Sequence, residues 1–202
     1  MKLQSILCCA AMVGALSSAS AIEMTISGST AGSFNGAAFG SPTSLGGLTF
    51  TGATPFTETT VGNFASLVLG NFNLSNSNFD YAGDTFRVQF NFTAPSGILP
   101  GGPAIYSANM FGAVNANSEG GVGISFGGPQ TFTFTTPTST GSFVLTVNSL
   151  NVQPGIPSVD LTGSVVGGSQ VTSVPDGGSS VAMLGLGLLG LTALGRKHTR
   201  VA

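Results

Sequence analysis

The chain has 202 residues, of which 42% are hydrophobic and only 6% are charged, and it contains no tryptophan. Its formal net charge of −2 is unevenly distributed, because four of the five basic residues lie near the two ends while segment 22–173 carries six acids against one base. A nucleic-acid-binding protein has the opposite charge balance, so that class of function is excluded.

Residues 1–21 have the composition of a secretory signal peptide. Lys2 precedes an apolar stretch, and Ala19 and Ala21 supply the small residues at which signal peptidase cleaves. We therefore predict that the protein is exported and that the mature chain begins at Ile22.

Segment 22–173 alternates apolar and polar residues in the manner of β-strands. In segment 84–93 one face carries Phe86, Val88, Phe90 and Phe92, while polar residues occupy the other face. Similar patterns predict further strands near residues 24–27, 48–51, 67–74, 105–114, 122–126, 130–136, 141–147 and 159–165. Gly-, Pro- and Ser-rich turns separate these segments. We predict an all-β fold, a single antiparallel β-sandwich that is jelly-roll-like, between a signal-peptide helix and a C-terminal transmembrane helix.

The residue inventory of segment 22–173 excludes most catalytic sites. Cys8 and Cys9 fall in the signal peptide, and the single histidine, His198, follows the predicted membrane helix. Ser-His-Asp and Cys-His sites and histidine-based zinc sites are therefore impossible within this segment. The remaining candidate pair, Asp80 and Asp84, flanks a Tyr-Ala-Gly turn. We predict a protein that is not an enzyme and has no cofactor.

A calcium loop is the alternative for this acidic segment. Oxygen-bearing side chains recur at alternate positions, and the candidate ligands would be Asn76, Asn78, Asp80 and Asp84. The pattern departs from a calcium loop at Tyr81, where glycine is needed, and at Arg87, where a bidentate glutamate is needed. We therefore favour a turn whose Asn, Ser and Asp side chains bind their own backbone.

Two further functions stay open for the predicted sandwich. A carbohydrate-binding module would use Tyr81 and Tyr106, the only tyrosines, together with Arg87. Arg87 is predicted on the polar face of its strand, in a surface ion pair with Asp84 or Asp80. A self-assembling surface or fibre subunit would instead use the uncharged, Thr-rich strand edges near residues 131–140.

The C-terminal 29 residues, 174–202, have three parts in a fixed order. The motif Val174-Pro175-Asp176-Gly177-Gly178 precedes the uncharged, Gly- and Leu-rich segment 179–195, and a basic end follows with Arg196, Lys197 and Arg200. A helix over 179–195 would be about 26 Å long, slightly short of the ~30 Å hydrocarbon core. Long basic side chains compensate by reaching the headgroups, and they stay cytoplasmic, so the preceding chain lies outside the cytoplasm. The even apolarity of this segment argues against a buried core helix.

This tripartite tail resembles the VPDSG variant of the PEP-CTERM sorting signal, with one glycine in place of the serine of that pattern. The resemblance implies an exported protein of an exopolysaccharide-producing Gram-negative bacterium. It also implies that residues 174–178 are recognised and processed by an exosortase, a membrane enzyme with a cysteine nucleophile. A sortase signal would need an L-P-x-T-G motif, and a GPI signal would need a polar spacer of about 8–12 residues. Neither is present.

The predicted organisation is therefore a signal peptide (1–21), an exported domain (22–173) and a sorting signal (174–202) that comprises the motif (174–178), a transmembrane helix (179–195) and a basic tail (196–202). The expected partners are signal peptidase and the exosortase as processing enzymes, the inner membrane before processing, and an exopolysaccharide. The expected destination is the cell envelope or the extracellular polysaccharide matrix.

Overall fold

The computed structural model describes residues 23–99, 101–137, 139–167 and 171–172, and in these ranges the chain forms strands and turns without a helix. Accordingly, none of these residues belongs to a helix that is long and apolar enough to cross a membrane. The predicted helices of the signal peptide and of segment 179–195 lie outside the described residues.

Sixteen antiparallel strands make up the described part of the chain. They are β1 (Thr25–Phe34), β2 (Thr43–Leu45), β3 (Leu48–Gly52), β4 (Phe56–Thr59), β5 (Phe64–Leu74), β6 (Phe79–Asp80), β7 (Thr85–Ala94), β8 (Ile98–Leu99), β9 (Ala104–Phe111), β10 (Ala113–Val114), β11 (Val122–Phe126), β12 (Gln130–Thr135), β13 (Ser139–Val147), β14 (Leu150–Val152), β15 (Val159–Gly167) and β16 (Val171–Thr172). The prediction of an all-β, antiparallel fold is thus confirmed.

The strands form two large sheets and one small one. The six-stranded sheet has the order β14-β11-β9-β7-β1-β4. The eight-stranded sheet has the order β2-β3-β5-β15-β13-β12-β8, with β16 also paired to β13, and β6 and β10 form a separate pair. In both large sheets the side chains alternate between a buried face and an exposed face, as β-strand geometry requires.

The buried faces of the two large sheets contact each other through aromatic rings. Phe86 of β7 lies 5.1 Å from Phe50 of β3 and 5.0 Å from Phe72 of β5, measured between ring centroids. At the other end of the core, Phe92 of β7 lies 5.7 Å from Phe143 of β13. The core is therefore shared by the two sheets, an arrangement that is compatible with the predicted sandwich.

Two buried hydroxyl groups connect the sheets as well. Thr30 Oγ1 of β1 donates a hydrogen bond to the Leu69 carbonyl oxygen of β5 at 2.5 Å and accepts one from the Ala53 backbone N–H at 2.9 Å. Tyr106 Oη of β9 donates to the Leu145 carbonyl oxygen of β13 at 2.7 Å. Both side chains are 3% exposed or less, so each needs this internal partner for its polar group.

The strand predictions overlap observed strands in every case, and the differences concern length and number. Segment 24–27 is only the beginning of β1, and segment 105–114 divides into β9 and β10. The short strands β2, β4, β6, β8, β14 and β16 were not predicted, because two to four residues do not reveal an alternation.

Candidate functional site

The predicted sorting motif directly follows the last strand of the folded domain. β16 pairs with β13 in antiparallel register, with Val171 opposite Thr140 and Thr172 opposite Ser139. Only Ser173 separates Thr172 from the first motif residue, Val174. The tail thus follows a strand that pairs with β13. β13 in turn pairs with β12 and with β15, so it lies inside the eight-stranded sheet.

Thr136 and Ser139, beside this attachment point, are joined by backbone and side-chain hydrogen bonds. Thr136 N–H donates to the Ser139 carbonyl oxygen at 2.7 Å, and Ser139 N–H donates to Thr136 Oγ1 at 2.9 Å. The Ser139 side chain is only 8% exposed. The strand that receives β16 is therefore anchored at its first residue, Ser139, by hydrogen bonds to Thr136.

The other predicted processing and topology residues lie outside the described residues. They are the motif residues Val174, Pro175, Asp176, Gly177 and Gly178, the signal-peptide residues Ala19 and Ala21, and the basic residues Arg196, Lys197 and Arg200.

The four candidate calcium ligands lie in the segment between β5 and β7, with Asp80 in β6, and the two carboxylates are already hydrogen-bonded. Asp80 Oδ1 accepts from the Ala82 N–H at 2.9 Å, and Asp84 Oδ1 accepts from Asn35 Nδ2 at 2.8 Å. Asn76 and Asn78 are exposed. In the described part of the chain, no three His, Cys, Asp or Glu residues are grouped as a metal site requires. The hydrogen bond from the Ala82 N–H to Asp80 is a local side-chain-to-backbone bond of the kind that the turn interpretation predicts.

Arg87 differs from its predicted environment. It lies on the outer face of β7 as expected, but its Nη2 donates to Ser33 Oγ at 3.1 Å and to the Ala37 carbonyl oxygen at 3.4 Å. Its guanidinium group lies 5.0 Å from the centroid of the Phe39 ring. The predicted ion pair with Asp84 or Asp80 is therefore wrong, because neutral oxygens and an aromatic face of segment 33–39 surround the cation instead.

The two tyrosines are not surface residues, so the predicted carbohydrate-binding aromatics are also wrong. Tyr81 is fully buried and Tyr106 is 1% exposed. The Tyr81 hydroxyl donates to the Gly46 carbonyl oxygen, and the Tyr106 hydroxyl donates to Leu145 across the two sheets. Each phenol is accommodated in the core because a backbone carbonyl satisfies its O–H.

This burial gives the domain a predictable response to alkaline pH. Desolvation raises the pKa of Tyr106 far above its usual value and raises the pKa of Tyr81 in the same direction. The folded-state pKa values of the two tyrosines exceed those of the unfolded chain. The two neutral, buried phenols therefore contribute their full stabilisation of the fold below pH ~10, and this stabilisation is lost as the pH rises through the folded-state pKa values. We expect both tyrosines to resist ionisation at pH ~10 and to ionise only together with unfolding. Tyrosinate absorbance and circular dichroism, recorded on the same samples, will measure this.

The chain is suited to that titration because it has two tyrosines and no tryptophan. The matched control is the same chain unfolded in urea, which should titrate near the ordinary tyrosine pKa of ~10. Ionisation at that pH with an unchanged β-sheet spectrum would contradict the burial of the two phenols.

One surface feature was not found from the sequence. Phe111 of β9 is 53% exposed, and its ring covers Gly123 of β11. A shallow depression of about 270 Å³ adjoins the ring, and its lining includes Gly121, Asn151 and Gln153. The glycine-rich stretch Gly120-Gly121-Val122-Gly123 was the available signal, but its partner Phe111 is brought to it only by the pairing of β9 with β11.

Comparison with known proteins identifies the tail and nothing else. A family model for the VPDSG-CTERM motif matches residues 173–197. No curated protein and no solved structure matches the chain. The prediction of a PEP-CTERM-type sorting signal is confirmed, and this signal indicates an exported, envelope-directed protein that a dedicated sorting enzyme processes.

Proposed function

We propose that this chain is a non-enzymatic exported protein that an exosortase processes at residues 174–178 and delivers to the cell envelope or the extracellular polysaccharide matrix of a Gram-negative bacterium. The observation that carries the proposal is the match of residues 173–197 to the VPDSG-CTERM motif, directly after the last strand of a folded domain. Before processing, signal peptidase cleaves after Ala21, where Ala19 and Ala21 are the small residues of its site, and segment 179–195 holds the precursor in the inner membrane.

The position of the motif supports its role as a processing site. A protease needs an extended backbone that is not paired in secondary structure. Pro175, Gly177 and Gly178 disfavour both helix and sheet, and Thr172 is the last described residue that pairs with a neighbouring strand. The motif therefore begins two residues after the end of β16, and its residue types disfavour a continuation of that strand.

The charge distribution supports the proposed orientation. Arg196, Lys197 and Arg200 follow segment 179–195, and basic residues remain on the cytoplasmic side of a membrane. Residues 22–173, with one base among six acids, lie on the other side. The ectodomain in this proposal is the antiparallel β-sandwich, jelly-roll-like in its connectivity, and the aromatic contacts between the two sheets support the sandwich.

Disruption of the motif tests the proposal. In the P175A/D176A double variant we expect the full tail to be retained and the protein to accumulate in the inner membrane, because the recognition element is lost. Deletion of the exosortase gene should have the same effect on the unaltered chain. The intact mass of the protein recovered from the membrane and from the medium measures both cleavage sites.

The matched control is Ser180→Ala, which lies in the same tail beyond the motif and keeps the segment uncharged. It should be processed like the unaltered chain. Mature protein of normal mass outside the cell, either from the double variant or without the exosortase, would refute processing at residues 174–178.

A further inference from the structure

We infer that the outer face of the six-stranded sheet carries a binding site for a neutral polysaccharide, centred on Phe111. Strand register places three residues in one row across β9, β11 and β14: Phe111 is opposite Gly123, and Gly123 is opposite Asn151. The site belongs to the folded domain, so it is independent of the proposed processing of the tail.

The ring of Phe111 is held flat against the sheet. A Cβ atom at Gly123 would overlap three carbon atoms of this ring, so the ring lies directly over the glycine. Because one ring face covers the backbone and the side chain is still 53% exposed, the other ring face is directed to solvent. An aromatic face of this kind is an apolar platform of about the size of one pyranose ring, and it can stack on the C–H face of a sugar.

The residues in the row of Phe111 and in the next row, and those that line the adjoining depression, carry no charged side chain. Asn151 shares its row, and Asn109 and Ser125, which pair with each other, occupy the next row on the same face. Gln153 lines the adjoining depression, and Asn109, Ser125, Asn151 and Gln153 are all exposed. Amide and hydroxyl groups can donate to and accept from sugar hydroxyls, so the site combines one stacking surface with several orienting groups.

These neighbours favour a polysaccharide over a protein partner, and a neutral one over an anionic one. The centre of a protein interface groups several apolar side chains, whereas Phe111 has amides and hydroxyls around it. The depression has no charged residue in its lining, and the domain as a whole has an excess of acids, which would repel an acidic polymer.

The test uses the full chain, purified in mild detergent and sedimented with insoluble neutral polysaccharides: cellulose, curdlan and mannan. We expect the chain to sediment with at least one of them and to be released by the matching soluble oligosaccharide. Phe111→Leu keeps an apolar side chain over Gly123 but removes the ring face, and it should weaken binding about tenfold. Asn151→Ala should weaken binding about threefold by removing one orienting amide.

Phe64→Leu is the matched control, because Phe64 is also 53% exposed but belongs to the eight-stranded sheet. It should bind like the unaltered chain. Circular dichroism verifies the fold of each variant, and Asn151→Ala provides the test if Phe111→Leu does not fold.

Alginate, an anionic polysaccharide, is included in the same assay. Three outcomes would overturn the inference: no binding to any neutral polysaccharide, equal binding by the unaltered chain and the variants at the site, or binding only to alginate. Self-association that Phe111→Leu abolishes, without polysaccharide binding, would assign this face to a second copy of the chain instead. The binding assay uses full-length protein, so a lack of polysaccharide binding does not bear on the proposed processing of the tail. Conversely, a chain that is not processed but binds normally would refute only the processing proposal.

Discussion

Replacement of Phe86 by alanine is expected to remove a large part of the stability of the domain. Phe86 is fully buried in β7, and its ring centroid lies within 5.1 Å of three other rings, those of Phe34, Phe50 and Phe72. Two of these rings belong to the opposite sheet, so the deletion would leave a cavity between the sheets. A buried Phe→Ala change costs about 3–5 kcal/mol, against a typical total of about 5–15 kcal/mol for a domain.

The measurement is urea unfolding of segment 22–173 followed by circular dichroism. Phe86→Leu, which retains most of the volume, should cost less than about 1.5 kcal/mol. Phe64→Ala is the exposed control and should cost less than about 1 kcal/mol. If Phe86→Ala and Phe64→Ala lower the free energy of unfolding equally, the two sheets do not share the core that the ring contacts indicate.

The strands that could be predicted from the sequence are those in which large apolar residues face inward. In β7, alternate phenylalanines and Val88 mark the buried face, and the structure confirms the burial of Phe86, Val88 and Phe90. The remainder of β1, residues 28–34, could not be predicted, because its buried positions include Gly28 and Gly32. A Cβ atom at Gly32 would overlap the ring of Phe50, so the inward glycine accommodates a residue of the other sheet. An alternation in which the inward residues are glycines can be recognised only when the residue that packs on them, here Phe50, is known.

The candidate sites also differ in whether the sequence alone could reveal them. The sorting motif is a contiguous segment, and its residue types in their order are sufficient to identify it. The roles of the tyrosines depended on the acceptors for their hydroxyls, and Leu145, the acceptor for Tyr106, is 39 residues away in the chain. The Phe111 platform depends on the pairing of β9 with β11. Sequence patterns report local alternation and contiguous motifs, whereas these contacts are set by strand order.

A second large effect is expected at Gly52, where the two sheets come close to each other. Gly52 ends β3, and a Cβ atom there would overlap the backbone carbonyl of Thr30 in β1, a strand of the other sheet. The backbone cannot easily move away, because Thr30 N–H donates to the Ala53 carbonyl oxygen at 3.0 Å and Thr30 Oγ1 accepts from the Ala53 N–H at 2.9 Å. We expect Gly52→Ala to lower the free energy of unfolding by about 1–3 kcal/mol, because the added methyl group must separate the sheets or break these bonds.

Gly101→Ala is the matched control for this change, because a Cβ atom at Gly101 would have no neighbour within 4 Å. Both variants add the same methyl group and remove the same backbone freedom from the unfolded chain, so the difference between them isolates the contact with Thr30. Gly101→Ala should alter stability by less than about 0.5 kcal/mol, or raise it slightly. Urea unfolding of the two variants under identical conditions makes the comparison. Equal stabilities would mean that β1 and β3 can separate at low cost, and the hydrogen bonds between Thr30 and Ala53 would then not hold the sheets at a fixed distance.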